Sequence, residues 1–231
     1  MKLNKKRILI TGGALRVGKF FVKNLQSQGA EVIVHYNKSK KDAENLSEYT
    51  IHANLSNPSS YDGLIKKIGP IDVLINNASL FTKDRLKDST PSRVLNEFNV
   101  NFFAPFELIR QFAEQDRAGS IINILDQRID SFDLSCVAYS LTKQALAKLT
   151  FFAAKELAPK ICVNGIAPGP VLAPNGMSES AYRESAGIIP LNDTPTPQDV
   201  VKAANYLLDN PSITGQIIYV DGGQHLIDNK G

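Results

Sequence analysis

Arg7-Ile8-Leu9-Ile10-Thr11-Gly12-Gly13-Ala14-Leu15-Arg16-Val17-Gly18 decides the fold. Three consecutive apolar residues run into a glycine turn, and behind it a helical period begins. An unbroken apolar run suits a strand covered on both faces, which is the situation inside a parallel sheet between helical layers. The same alternation continues along the chain. Candidate strands are Arg7–Thr11, Glu31–Tyr36, Tyr49–Ala53, Asp72–Asn76, Ser120–Leu125, Ile161–Ile166 and Ile217–Val220. Helical periods fall near 17–28, 40–48, 58–68, 91–116, 136–158 and 197–209. The last has a readable start, with Thr196 as N-cap, Pro197 at the first helical position and Asp199 in the first turn. Pro159 closes the helix over 136–158, and Pro105 is expected to bend the 91–116 pattern or mark a boundary in it. The expectation is an α/β fold with one doubly wound domain over residues 1–231.

Composition sets the limits. The chain has 231 residues, 43% of them hydrophobic and 21% charged, enough for one full core. A net charge of +3 is too small to argue for nucleic acid or an anionic membrane surface. The apolar run after the basic start is only Ile8-Leu9-Ile10, shorter than a secretory signal needs, and no stretch approaches a membrane span. Cys136 and Cys162 form no CxxC pair, which suits a reducing cytoplasm. His35, His52 and His225 share no metal-ligand spacing and read as structural, so no metal is expected.

The opening motif stands where a dinucleotide fingerprint must stand, after a strand and at the start of a helix. Its glycines allow a tight turn and close approach to a pyrophosphate, and the helix start offers free N–H groups. Arg16 occupies a place where such turns often have another glycine; a guanidinium there can meet phosphates and reach an electron-rich substrate. At the end of the second strand, His35-Tyr36-Asn37-Lys38-Ser39 contains no acid. An NAD-selective fold places a carboxylate there for the ribose 2′-hydroxyl. Its absence, with Lys38 and the Asn37 and Ser39 donors present, favours NADPH. Tyr139 and Lys143 are spaced i and i+4 on one helical face, so the ammonium is expected to lower the phenol's pKa. Residues 168–190, rich in Pro, Gly and Ser, read as a loop over a binding site.

Thr11-Gly12…Gly18, Asn76-Asn77-Ala78, Asn101, Tyr139…Lys143, Pro168-Gly169, Thr214-Gly215 and Val220-Asp221-Gly222-Gly223 together resemble the short-chain dehydrogenases/reductases over essentially the whole chain. The resemblance implies a Rossmann domain with a seven-stranded parallel sheet and helices on both faces. It implies Tyr139 as proton donor, Lys143 as its tuner and ribose ligand, and Asn101, with Asn99 a nearby rival, holding a relay water. It places Gly12, Arg16, Val17, Asn37, Lys38, Ser39, Asn54, Leu55, Asn77, Ala78, Ser79, Pro168, Gly169 and Val171 along the NADP cofactor. Family members are commonly homotetramers, with contact surfaces on the 91–116 and 136–158 helices.

Two departures narrow the resemblance. Asp126 replaces the usual catalytic serine thirteen residues before the tyrosine, and Ser79 replaces the usual glycine after Asn-Asn-Ala. With Arg16 and Phe81 these look like the pteridine reductase branch, which includes bacterial dihydromonapterin and dihydrofolate reductases. A carbonyl reductase wants a neutral hydroxyl beside the developing alkoxide, which a carboxylate repels. A C=N bond takes hydride on carbon and a proton on nitrogen, which an acid beside the tyrosine can help deliver. The implied substrate contacts are Arg16, Ser79, Phe81 (stacking), Asp126 and Tyr139. The alternatives are a carbonyl reductase of the 3-oxoacyl type and a catalytically silent nucleotide sensor.

Overall fold

Alternate residues of each inner strand go to opposite layers, which is why those strands are apolar without a break. Ile8, Ile10, Val32, Val34, Val73, Ile75, Ile122 and Ile124 face one core with Phe21, Leu25, Val200 and Leu207. Leu9, Ile33, Leu74 and Ile121 face the other with Tyr61, Leu64, Leu108 and Phe112. The protein is described by a computed structural model over residues 3–174 and 176–227; Met1, Lys2, Asn175 within the expected loop, and residues 228–231 lie outside that description.

The strands are β1 (Arg7–Ile10), β2 (Glu31–Tyr36), β3 (Thr50–His52), β4 (Val73–Asn76), β5 (Gly119–Ile124), β6 (Ile161–Pro168) and β7 (Ile217–Val220). They form one sheet in the order β3-β2-β1-β4-β5-β6-β7, parallel throughout. The order reverses between β1 and β4, so a crevice opens at the carboxyl ends of those strands.

The helices are α1 (Arg16–Ser27), α2 (Lys40–Glu44), α3 (Pro58–Tyr61), α4 (Leu64–Ile68), α5 (Pro91–Phe98), α6 (Ala104–Ala113), α7 (Val137–Leu157), α8 (Glu179–Ser185) and α9 (Pro197–Asp209). They depart from the sequence pattern in four places. α2 stops early because Ser47 turns back to bond the Val32 carbonyl at 2.6 Å. The 58–68 pattern splits into α3 and α4 at Gly63, whose φ of +59° is left-handed. The 91–116 pattern is interrupted by a π-helical turn, Asn99–Phe103. The turn closes with Ala104 N–H on the Asn99 carbonyl, and Pro105, which has no N–H for the Asn101 carbonyl, follows directly. α8 gives the 168–190 loop a helix of its own, started by the Ser178 hydroxyl, which accepts from Ala181 N–H at 3.2 Å. The start of α9 matches its sequence: Thr196 Oγ1 accepts from Asp199 N–H, and the Asp199 carboxylate accepts from Thr196 N–H. No helix among the described residues is long and apolar enough to cross a membrane.

Candidate active site

The glycine turn is braced from behind before it meets any ligand. Thr11 Oγ1 accepts from Asn77 N–H at 2.9 Å and Ala78 N–H at 3.0 Å. The Asn77 side-chain amide donates to the Thr11 and Gly12 carbonyls at 2.9 and 3.1 Å. The exits of β1 and β4 are thereby locked together. Gly18 must be glycine, because a Cβ there would sit 2.2 Å from the Gly12 carbonyl oxygen. Among the described residues no side chain caps α1 and no acid occupies its first turn, so the N–H groups at its start stay open to an anion. These observations fit a bound dinucleotide: backbone donors and glycine clearance for the pyrophosphate, and Asn37 and Lys38 exposed at the acid-free end of β2.

His35 holds the turn from below. Gly12 N–H donates to its Nδ1 at 3.0 Å, and its Nε2 lies 3.0 Å from the Ala53 carbonyl. This pairing needs the neutral tautomer with the proton on Nε2. Burial pushes its pKa down to about 4, against the Ala53 bond that favours the proton. The unfolded chain therefore binds a proton below about pH 6.5 that the folded chain refuses until about pH 4. Stability is expected to fall over that window as pH drops, by up to roughly 3 kcal/mol. Chemical denaturation at pH 7 and pH 4.5 checks this; an equal slope in His35→Gln would remove His35 as the cause.

A cleft of about 660 Å³ runs along the carboxyl ends of the strands. Gly12, Arg16, Val17, Asn37, Lys38, Asn54, Leu55, Asn77, Ala78, Ser79, Phe81, Asp126, Tyr139, Lys143, Pro168, Gly169 and Val171 all line it. Two expected residues do not. Ser39 sits at the N-cap of α2, behind Lys38. Asn101 is fully buried and its side chain is saturated: Oδ1 accepts from Leu80 N–H at 2.8 Å, while Nδ2 donates to the Leu80 carbonyl at 2.8 Å and to Thr142 Oγ1 at 3.1 Å. It clamps the segment after β4 onto α7, so a relay water is not held by its side chain. Asn99, the rival, donates to the Ser56 carbonyl at 3.1 Å.

At the reacting end, the Tyr139 hydroxyl donates to Asp126 Oδ2 at 2.9 Å. The Asp126 carboxylate also accepts from Arg128 N–H at 3.0 Å and from the Arg128 guanidinium at 3.0 and 3.2 Å. Arg128 in turn reaches Asp133 at 2.8 Å. Burial works against the Arg128 charge, but Asp126 and Asp133 outweigh it and keep it protonated. Sequence reading missed Arg128, although a base two residues past the substituted serine position was the available signal. Phe81 meets Tyr139 edge to face, with ring centroids 4.7 Å apart, and is half exposed to the cleft.

Two expected roles change. Tyr139 is not lowered by Lys143: burial, then the Asp126 charge, raise it well above its ordinary value, so the phenol stays neutral in the free protein. Lys143 is buried, donates to the Ile124 carbonyl at 2.8 Å, and has its own pKa lowered to about 8 by burial, with Asp126 opposing. Arg16, in the left-handed region at φ +50°, aims its guanidinium at the Leu172 and Ala173 carbonyls, at 3.0 and 2.8 Å. It ties the turn to the loop across the cleft.

The fold, the anion-ready turn and the Tyr–Lys pair define an NAD(P)-dependent oxidoreductase acting on a small molecule. Residues 13–225 match the family model described as "Enoyl-(Acyl carrier protein) reductase". The chain is 30% identical to pteridine reductase 1 of Leishmania tarentolae, over 94% of this chain and 96% of that one. It is equally similar, at 30% over 96% and 99%, to a 3-oxoacyl-[acyl-carrier-protein] reductase of Staphylococcus epidermidis. Among solved structures, the FolM alternative dihydrofolate reductase 1 of Brucella canis, complexed with NADP, superposes with a TM-score of 0.91 at 33% identity, covering 100% of this chain and 98% of that one. The chain belongs to the short-chain dehydrogenase/reductase family, and its architecture is of the pteridine reductase and FolM kind.

Proposed function

We propose that this enzyme is an NADPH-dependent reductase of a pterin-type substrate, taking a dihydropterin, dihydromonapterin or dihydrofolate to the tetrahydro form. The hydrogen bond from Tyr139 to the Asp126 carboxylate carries the reading. That carboxylate stands where a carbonyl reductase needs a neutral donor, and it would oppose an alkoxide. Reduction of a C=N bond builds no oxyanion, so the same carboxylate does no harm there.

The glycine turn and Asn37 and Lys38 would hold NADPH, which when bound would supply a hydride for the carbon of the C=N bond. The nitrogen takes a proton, and Tyr139, neutral and buried, has one to give. Asp126 orients the phenol and supports its reprotonation. The phenolate left behind lies near Lys143, whose Nζ is 5.8 Å from the ring centroid, and near Arg128. Phe81 offers an aromatic face to a flat heterocycle, and Arg16 holds the 172–173 segment beside it. A relay water at the π turn would be held by the Asn101 carbonyl, which Pro105 deprives of its α-helical donor. The acid-free end of β2 favours NADPH over NADH. Exposed Leu95, Phe103 and Phe106 on the α5–α6 face and Leu141, Phe151 and Phe152 on α7 suit a homotetramer, and two free thiols suit a cytoplasmic setting.

Lys143 gives this reading a pH signature. Its ammonium supports the phenolate only while charged, and its pKa is near 8. The kcat/KM profile is expected to fall above about pH 8, and Lys143→Arg, whose charge persists, is expected to move that limb upward. The deciding assay is NADPH consumption with 7,8-dihydropterins and dihydrofolate, a 3-oxoacyl thioester as control, and NADH as alternative donor. Turnover of the thioester alone would make this a carbonyl reductase. Tight NADPH binding with no substrate reduced would make it a silent sensor.

A further inference from the structure

Arg128 meets the reacting end on three sides, and the reaction as described gives it no task of its own. Its guanidinium bonds both oxygens of Asp126, at 3.0 and 3.2 Å, and its central carbon stands 5.9 Å from the centroid of Phe81. Its Nε donates to Asp133 Oδ2 at 2.8 Å. Asp133 is itself held, because its Oδ1 accepts from Ser135 N–H at 2.9 Å and from the Ser135 hydroxyl at 2.6 Å. Ser135 leads, through Cys136, into α7, whose third residue is Tyr139. Arg128 therefore ties the turn after β5, which carries Asp126, to the start of the helix that carries the phenol. Phe81 arrives from a third segment, after β4, and meets both Arg128 and Tyr139. An arginine suits this corner, because its planar fork serves two carboxylates while it also meets an aromatic ring.

What this tie achieves follows from the bonds on Asp126. A carboxylate offers about four acceptor positions. Four hydrogen bonds arrive here: Oδ2 accepts from the Tyr139 hydroxyl and Arg128 Nη1, and Oδ1 accepts from Arg128 N–H and the same Nη1. Three of the four come from Arg128. A proton on either oxygen would displace one of them. The Asp126 side chain is only 14% exposed, so water does not compete freely for these positions. Asp126 is an acceptor with no position to spare, and among its donors Tyr139 is the one facing the cleft with a proton to release.

We propose that Arg128 is a positioning residue for this reaction: it keeps Asp126 a filled acceptor, so that Asp126 aims the Tyr139 hydroxyl and the phenol is the single source of the proton. When the ring nitrogen of the substrate arrives, the hydroxyl hydrogen turns from Asp126 Oδ2 and passes to that nitrogen. Water then restores the proton to the phenolate. Asp126, still bonded by Arg128, neither takes the proton nor gives one. Arg128 works through Asp126, and so it governs the rate of the bound complex and not the binding of either ligand. The inference rests on the pterin-type reading above and deepens it.

The test is a cycle of variants assayed by NADPH consumption with a 7,8-dihydropterin, with NADPH affinity measured for each. Arg128→Met keeps the stem and loses the fork; it is expected to lower kcat by about 10- to 100-fold while KM stays within about threefold of wild type. Arg128→Lys keeps the charge and is expected to recover part of that loss. Added to Asp126→Ala, Arg128→Met is expected to cost no more than about a further twofold, since the residue it works through is gone. A brace serving the fold in general would behave otherwise. Its loss would slow Asp126→Ala as much as it slows the wild type, because the contacts with Asp133 and Phe81 would still be there to lose. Losses that multiply in full therefore overturn the proposal, as does an unchanged kcat in Arg128→Met. If Arg128→Met does not bind NADPH, Arg128→Lys takes its place in the cycle. Loss of NADPH binding in that variant too overturns the proposal, since Arg128 would then be part of the fold. These outcomes leave the pterin reading standing, because the wild-type protein still reduces the pterin. A wild-type protein that reduces no pterin ends that reading, and the role given to Arg128 falls with it.

Discussion

Asp126→Ala is expected to lower dihydropterin turnover by about 10²-fold or more while NADPH binding stays at its wild-type level. The variant removes the acceptor of the Tyr139 hydroxyl, which Asp126 receives at 2.9 Å. It leaves the cofactor turn alone, since that turn is braced by Thr11, Asn77 and His35. Arg128 keeps Asp133 as a partner at 2.8 Å, so the guanidinium is not stranded. The phenol should also titrate lower, because the Asp126 charge is one of the causes that raise it. A pH–rate profile of the residual activity should also show its alkaline limb displaced towards neutrality, because Asp126 is the charge that opposes the burial of the Lys143 ammonium. Asp126→Ser sharpens the test. It restores a neutral hydroxyl beside the phenol, so 3-oxoacyl reduction should appear as dihydropterin reduction fades. Loss of NADPH binding in Asp126→Ala would make the residue a structural prop of the turn after β5.

The sequence carried the fold because each of its signals is local. Three apolar residues before Thr11-Gly12, and again before Asn76-Asn77, mark strands that end at the cleft, and their two-sided burial follows from side-chain alternation alone. Asp126 and Tyr139 were readable as a pair because one closely follows a strand and the other lies in the first turn of a helix, thirteen residues on. Other features depend on segments that only tertiary structure brings together. Arg16 reads as a cofactor ligand, yet its partners are carbonyls 156 and 157 residues away. Asn101 reads as a relay residue, yet its amide is consumed by Leu80 and Thr142. Tyr139 escapes the expected lowering by Lys143 for a related reason. Four residues of helix place Lys143 near Tyr139, but burial and a carboxylate at contact outweigh a cation whose own nitrogen turns to the Ile124 carbonyl. Pro105 was the one local clue to the π turn, since it removes the donor that Asn101 would otherwise meet.

Tyr139→Phe is expected to reduce kcat by about 10²- to 10⁴-fold with NADPH affinity kept, because the ring and its contact with Phe81 remain while the transferable proton is lost. The more informative experiment adds Asp126→Ala to it. Tyr139 and Asp126 share one hydrogen bond, and the carboxylate already accepts from Arg128 at two positions. If Asp126 acts only on the phenol's proton, it has nothing left to do once that proton is gone. The double variant should then be about as slow as Tyr139→Phe alone, since residues that act as a unit do not contribute additively. Losses that multiply would mean that Asp126 reaches the substrate by a route of its own. In that case the carboxylate would be a second proton source for the ring nitrogen, and the phenol would not be the only gate through which the proton passes.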